Sequence, residues 1–391
     1  MGAKPVSRPS HTKPSVALML QGGGALGAYH IGAYQAMAEH ELHPDWVAGI
    51  SIGAINSAVI AGNRPEDRVA RLTALWDAIS WPDMPSPLAL TALQMLHNVA
   101  SNAEALLFGQ PHFFTPRPLN PYFRPPAPAQ EVSFYDTSPM LETLGRFADF
   151  SLINDRMVRL SLGATDIATG ELQFFDNHRQ HIGPEHVLAS CSLPPGFPAT
   201  LVGGRLYWDG GCVSNTPLDA VVDEPGHPNL VVFLIDLWDA AGPPPETMTD
   251  VLWRAKQIQY ASRTAHHVDA VATKVNLRHA VRLLKSREAP EVATMPDDPV
   301  LAEKRLDIVH IIYHPEAGQI PNSDVEFSRS SIAERRAAGY RDMQVALAAE
   351  PWQRTEKAAH LGALVHRVER QTVRTLPEPN LRTMSDRTAA A

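Results

Sequence analysis

Apolar and polar positions along the chain fall into short dense blocks separated by glycine- and proline-rich breaks. Ser15–Leu20 (SVALML) and Trp46–Ile50 (WVAGI) are nearly continuous apolar runs of strand length, the pattern of strands covered on both faces. Gly22-Gly23-Gly24 breaks the first run, and Ala25–His40, rich in small residues, predicts a helix. Ile52–Ala61 predicts a second helix, stopped by Gly62-Asn63 with Pro65 beyond. Strand, glycine turn, helix, strand, tight turn, helix is the grammar of a parallel α/β sheet. Farther on, strands are predicted at Met157–Gly163, Glu171–Phe175, Leu230–Leu237 and Leu306–Tyr313. Helices are predicted over Thr247–Leu284, Ile332–Ala349 and Glu356–Arg370, and Pro111–Pro128 reads as a long irregular connection. Beyond about residue 245 helical pattern dominates, which predicts an extension packed on the sheet rather than an independent module. Residues 1–14 and 376–391 have no hydrophobic period and are expected to be tails.

Composition narrows the function class. Of 391 residues, 44% are hydrophobic and 19% charged, ordinary for a globular protein with a real core. The 34 Lys and Arg against 42 Asp and Glu give a net charge of −8, which argues against a nucleic-acid partner. The two cysteines, Cys191 and Cys212, exclude a disulfide scaffold and a Cys-rich metal site, and are expected to be free buried thiols. The apolar run Val16–Leu20 is too short for a signal-peptide core, and no run reaches the length of about 18 apolar residues that spans a bilayer. The expected compartment is the cytoplasm; composition leaves peripheral contact with a lipid surface open.

Three short segments carry candidate chemistry. Gly22-Gly23-Gly24-Ala25-Leu26-Gly27 lies at a strand-to-helix turn, where bare amides favour negative charge. It also satisfies G-x-G-x-x-G, with Asp45 placed 18 residues past Gly27 as a candidate ribose-binding acid, so nucleotide binding is one reading. Gly49-Ile50-Ser51-Ile52-Gly53 matches G-x-S-x-G between a predicted buried strand and a predicted helix, the context of a nucleophile elbow. Tyr207-Trp208-Asp209-Gly210-Gly211 reads either as a plain turn or as a carboxylate held where it could accept a proton. A serine hydroxyl needs a base. In α/β-hydrolase order that base would be His310 or His314, but Ser51 follows only the second strand, too early for that fold.

Together, and in this order, Gly22–Gly27, Gly49–Gly53 and Asp209-Gly210-Gly211 resemble the three hallmark blocks of the patatin-like phospholipase family. Ala189–Pro198 (ASCSLPPGFP) resembles a fourth shared stretch. The match spans roughly residues 15–220, and residues 221–375 are similar to a remaining core strand and helix-rich C-terminal extension carried by a bacterial branch. The resemblance implies a three-layer α/β/α fold around a mostly parallel sheet, and a Ser–Asp dyad that needs no histidine, cofactor or metal. Carried over by position, Ser51 is the nucleophile and Asp209 the base; the oxyanion hole comes from amides around Gly22, Gly23 and Gly24, with Gly49 and Gly53 shaping the elbow. Where many members carry Arg or Lys, this chain has Leu26, which removes a cation from the loop and leaves the backbone donors intact.

The substrate the resemblance implies is a lipid or other acyl ester, cleaved through an acyl-enzyme. A general carboxylesterase or thioesterase on the same dyad is the nearest alternative. Pro87–Phe108, with Leu93 and Leu96, reads either as an apolar cover over the site or as ordinary helix packing or a subunit interface.

Overall fold

The computed structural model describes residues 14–81, 109–222, 224, 229–286, 305–315, 322–354 and 361–376. The apolar segment Pro87–Phe108 and both tails, apart from Pro14 and Leu376, lie outside the described residues. In chain order the strands are β1 (Ser15–Leu20), β2 (Trp46–Ile50), β3 (Thr115–Pro116), β4 (Tyr135–Asp136), β5 (Arg159–Asp166) and β6 (Leu172–Asp176). They continue with β7 (Thr200–Val202), β8 (Arg205–Asp209), β9 (Asn229–Asp236), β10 (Arg305–Ile312), β11 (Ala363–Glu369) and β12 (Thr372–Thr375). All but β3 and β4 belong to one sheet, ordered β12-β11-β10-β9-β1-β2-β5-β8-β7, with β6 also on β5. From β11 to β5 the neighbours run parallel; β12, β6, β8 and β7 add on antiparallel.

Strand periodicity divides the core into two halves. Val16, Leu18 and Leu20 of β1 enter one apolar cluster, Ala17 and Met19 the other. The first cluster lies under helices α1 (Tyr29–Glu39), α2 (Ile52–Ala61), α3 (Arg68–Ala78) and the later helix Arg329–Ala349. The second lies under the helix Met248–Ser286, through Val268, Val271, Ala272 and Val275. Helix, sheet and helix therefore form three layers. The predicted helix Ala25–His40 is divided: Gly24–Ala28 is a 3-10 turn and α1 starts at Tyr29.

The C-terminal part of the chain is woven into this frame. Its helix Arg329–Ala349 crosses α1 at a pair of glycines. A Cβ on Gly32 would lie 1.8 Å from the Arg336 carbonyl oxygen, and one on Gly339 2.0 Å from that of Tyr29. Around this backbone contact Tyr29 donates to Asp342 at 2.7 Å and Tyr340 to Glu39 at 2.6 Å.

One expectation is overturned here. Residues 363–369, placed by pattern in a helix over Glu356–Arg370, form the parallel strand β11. The apolar run Ala363-Leu364-Val365 suits burial on both faces, and His366 is satisfied inside by Asp307 of β10 at 3.0 Å and Thr375 of β12 at 2.8 Å. Arg370 and Gln371, both at positive φ (45° and 63°), turn the chain directly into β12. No Asn-Gly or Gly-Gly marks that turn. The sheet pairing of β10 outweighs the helical pattern.

The glycine crossing sets a stability prediction. Gly339→Val should lower the unfolding free energy by about 1–3 kcal/mol or more, because backbone must move to admit the side chain. Gly145→Ala, in the helix Ser138–Phe147 with nothing within 4 Å of the added Cβ, should raise it by about 0.5–1 kcal/mol. Urea midpoints of the two variants measure the contrast.

Candidate active site

Ser51 sits between β2 and α2 with φ 57° and ψ −128°, a backbone conformation that a side chain adopts at a cost of about 1–3 kcal/mol. Close packing enforces it. A Cβ on Gly49 would lie 2.2 Å from the Gly53 carbonyl oxygen, and one on Gly53 2.1 Å from that of Leu20, so the turn closes only with glycine at both places. The turn is also tied down from outside. The Ser51 N–H donates to the Ser190 carbonyl at 3.1 Å and to Ser190 Oγ at 3.2 Å, and Cys191 Sγ donates to the Ser51 carbonyl at 3.2 Å. Ser190 Oγ in turn donates to the Gly163 carbonyl at 2.6 Å, linking the elbow to β5.

Asp209 arrives from the antiparallel side of the sheet as the last residue of β8, paired with Ala164 of β5. Its N–H donates to the Ser192 carbonyl at 2.9 Å, and its own carbonyl accepts from Thr165 Oγ1 at 2.9 Å. The side chain is 1% exposed. Oδ1 accepts the Gly211 N–H at 2.7 Å, while Oδ2 has no partner within full hydrogen-bond geometry among the described residues. Burial pushes the carboxyl up to about 7, against the opposing pull of the Gly211 amide and of the Ser51 hydroxyl beside it. The structure thus brings Ser51 and Asp209 together.

The glycine loop closes the third side. A Cβ on Gly22 would lie 2.9 Å from Ser51 Cβ and 2.2 Å from Asn215 Oδ1, so a side chain there would fill the space against the serine. The Gly22 carbonyl is turned away and held by Asn215 Nδ2 at 2.5 Å and Trp238 Nε1 at 2.9 Å. The Gly22 N–H reaches the Asn215 carbonyl at 3.4 Å, whereas the N–H groups of Gly23 and Gly24 have no acceptor among the described residues. Leu26 is buried in the core, so its place on the loop presents no charge to the site.

Several contributors were invisible to motif reading. Trp238 is fixed by Asp236, whose Oδ1 accepts the Trp238 N–H at 3.0 Å and whose Oδ2 is held by His310 Nε2 at 3.0 Å. Its ring stacks on Tyr260 at 4.8 Å and packs on Trp253 at 5.6 Å, both from the helix Met248–Ser286. Arg335, buried, donates to the carbonyls of Ala25, Glu326 and Ser323 at 3.1, 2.8 and 3.0 Å, binding the C-terminal helix to the start of the 3-10 turn. Ser190 did have a signal, since it lies within Ala189–Pro198, and Asn215 follows the Asp209 block by four residues. Trp238, Asp236 and Arg335 had none.

The remaining candidates lie elsewhere. Asp45 precedes β2 at the opposite end of the sheet from the glycine loop, and its Oδ2 accepts the Val16 N–H at 2.9 Å, a structural tie that leaves it unsuited to a ribose. His310 is committed to Asp236, and His314 to Asp239 at 2.6 Å; neither bonds Ser51 or Asp209. Both cysteines are free; Cys191 is buried as expected, but Cys212 is exposed.

Fold and site together describe a three-layer α/β protein with a strained serine set against a buried carboxyl. A family model described as patatin-like phospholipase matches residues 18–222, more than half of the chain, and a second, described as patatin phospholipase, matches residues 258–359. The chain belongs to the patatin-like phospholipase family. Neuropathy target esterase sws of Drosophila melanogaster is 28% identical over 215 residues, covering 54% of this chain and 12% of that protein. Triacylglycerol lipase SDP1L of Arabidopsis thaliana is 29% identical over 86 residues, 22% of this chain and 11% of its own length. The chain therefore spans only a small part of these relatives. Among solved structures, VipD from Legionella pneumophila is similar over 86% of this chain and 67% of its own, at 15% identity and a TM-score of 0.38. No helix among the described residues is long and apolar enough to cross a membrane.

The raised carboxyl has a consequence for stability. Unfolded, Asp209 would ionise near its ordinary value of 3.8, so between about pH 4 and 7 the unfolded chain releases a proton that the fold retains, and stability falls as pH rises through that window. Above pH 7 the buried charge costs at most about 4 kcal/mol. Asp209→Asn keeps an acceptor for the Gly211 amide and removes the charge. It should raise the melting temperature at pH 8 and have little effect at pH 4, as measured by paired thermal scans.

Proposed function

We propose that this chain is a serine lipid acyl hydrolase that cleaves carboxylic esters of phospholipids or other long-chain lipids. What supports the proposal is the Ser51 hydroxyl beside a buried carboxyl raised to about 7, with Gly22 of the glycine loop packed against the serine and the next two N–H groups of that loop without an acceptor among the described residues. Ionised Asp209 takes the Ser51 proton as Oγ attacks the ester carbonyl. The new alkoxide is met by the N–H groups of Gly23 and Gly24, each worth about 2.7–4 kcal/mol to the transition state when well placed. Collapse expels the alcohol, which receives the proton from Asp209, and leaves an acyl-serine. Water, deprotonated by the same carboxylate, releases the fatty acid. A carboxyl near 7 suits both directions of proton transfer at neutral pH, which an ordinary solvated Asp does not.

Family membership supports lipid-ester hydrolysis in general. The names of the relatives, an esterase and a triacylglycerol lipase, point the same way. The Ser–Asp chemistry, the Gly23–Gly24 donors and the preference for long-chain lipid esters belong to the proposal.

Ser51→Ala and Asp209→Asn should each lower ester hydrolysis at least about a thousandfold with circular dichroism unchanged; near-full activity in either contradicts the dyad. A panel of esters graded by chain length and head group should show higher kcat/KM for long-chain lipids than for short soluble esters, and equal rates would favour a general carboxylesterase. Trp238→Phe keeps the stacked ring and removes the donor to Gly22. It should lower kcat on a short ester about tenfold with KM unchanged, since only the alignment of the loop amides is loosened.

A further inference from the structure

Among the large apolar side chains left in water, the most exposed stand close together in sequence. On the proline-rich insertion between the two short strands β3 and β4, Leu119 (64%), Tyr122 (79%) and Phe123 (87%) stand out of the surface. Built structure holds them there. Asn120 Oδ1 accepts the Tyr122 N–H at 3.1 Å and caps the turn Pro121–Phe123, and the Tyr122 ring packs edge-on to Phe134 at 5.9 Å.

The insertion is clamped to the wall of the site. The N–H groups of Phe134 and Tyr135 donate to the carbonyls of Pro195 and Gly196 at 3.3 and 3.0 Å, and the Phe114 ring packs on Phe197 at 4.9 Å. That stretch follows Ser192, whose carbonyl holds the Asp209 N–H. Leu193, next in sequence, and Val213, just past the Asp209 turn, are themselves exposed. Met248 and Leu252 project from the first turns of the helix whose Trp253 packs on Trp238. The insertion, the stretch after Ser192, the Asp209 turn and the start of the long helix thus each offer apolar side chains to solvent.

Charge identifies the occupant. The chain carries −8 overall, and from Leu119 to Pro128 the single charged residue is Arg124, already paired with Glu131 at 3.4 Å. The wedge therefore presents no free charge by which an anionic surface or a charged protein partner could be held. Two aromatic rings and a leucine on a proline-stiffened turn suit insertion to the depth of lipid head groups, where ring and acyl chain meet without ion pairing. We propose that the Leu119–Phe123 wedge, continued by the exposed apolar residues beside the site, docks this chain on an uncharged (zwitterionic) lipid surface. The inference deepens the hydrolase assignment by naming the form in which its substrate is met, and docking can be read without turnover.

The test uses the full chain carrying Ser51→Ala, so that vesicles survive, and flotation with phosphatidylcholine vesicles at 0.05 M and about 1 M salt. Expected is co-flotation that salt does not weaken, reduced about tenfold or more when Leu119→Asp and Phe123→Asp are added. In an otherwise wild-type background the same pair should leave turnover of a short soluble ester unchanged and lower turnover of vesicle lipid. Equal flotation with and without the pair, or none by the Ser51→Ala chain, overturns the docking surface. So does a concentration-dependent dimer in gel filtration that the pair dissolves while flotation is absent, since the patch would then bind a second copy. Failure of the wild-type chain to turn over the soluble ester would instead count against the hydrolase, and vesicle binding would stand by itself.

Discussion

A carboxylate kept out of water against a serine held at positive φ is the constraint on which the rest of this structure depends. Neither feature is favourable alone. The charge on Asp209 is opposed by burial and only partly offset by the Gly211 amide and the Ser51 hydroxyl, and Ser51 occupies backbone space that side chains avoid. Both persist because the surroundings over-determine them. Ser190 and Cys191 pin the elbow from one helix, Gly163 and Thr165 pin both partners to β5, and Asn215 spans from the Asp209 turn to the glycine loop.

The outer half of the chain belongs to the same arrangement. Sheet pairing places β9 beside β1, so the residues leaving β9 lie over the turn that leaves β1, and Trp238 meets the Gly22 carbonyl. Behind Trp238 stand Asp236 and His310, the latter on β10, and beyond β10 the strand β11 completes the burial. Arg335 reaches from the C-terminal helix to the start of the 3-10 turn. The histidine that α/β-hydrolase order would nominate as a base thus does its work four contacts away from the serine, by fixing an indole that fixes a carbonyl. These contacts tie the C-terminal part of the chain to the glycine loop.

Legibility in the sequence followed the range of the interactions. The strands β1, β2, β9 and β10 were plain because parallel strands covered on both sides need apolar runs, and the elbow was plain because its two glycines are required by contacts within a few residues and to the neighbouring β1. The meeting of Ser51 with Asp209 was implied by the family resemblance that the three ordered motifs carry, not by any local feature. What was missed depended on distant partners: β11 reads as helix until β10 is beside it, and its hairpin turn uses Arg370 and Gln371, residues with no turn signature. The 3-10 start to the first helix, the Trp238 network and the Arg335 anchor likewise arise from packing between segments up to 310 positions apart.

The most direct measurement of the central claim is the rate at which a fluorophosphonate probe labels the intact protein as a function of pH, with the modified residue mapped by peptide mass spectrometry. The account predicts one adduct, on Ser51, forming at a rate that climbs with pH and levels off with a midpoint near 7, the point at which Asp209 becomes able to accept the proton. Labelling at another residue would contradict it. So would labelling of Ser51 at a rate that does not change between about pH 5 and 9, which would mean that a different group, or none, activates the hydroxyl.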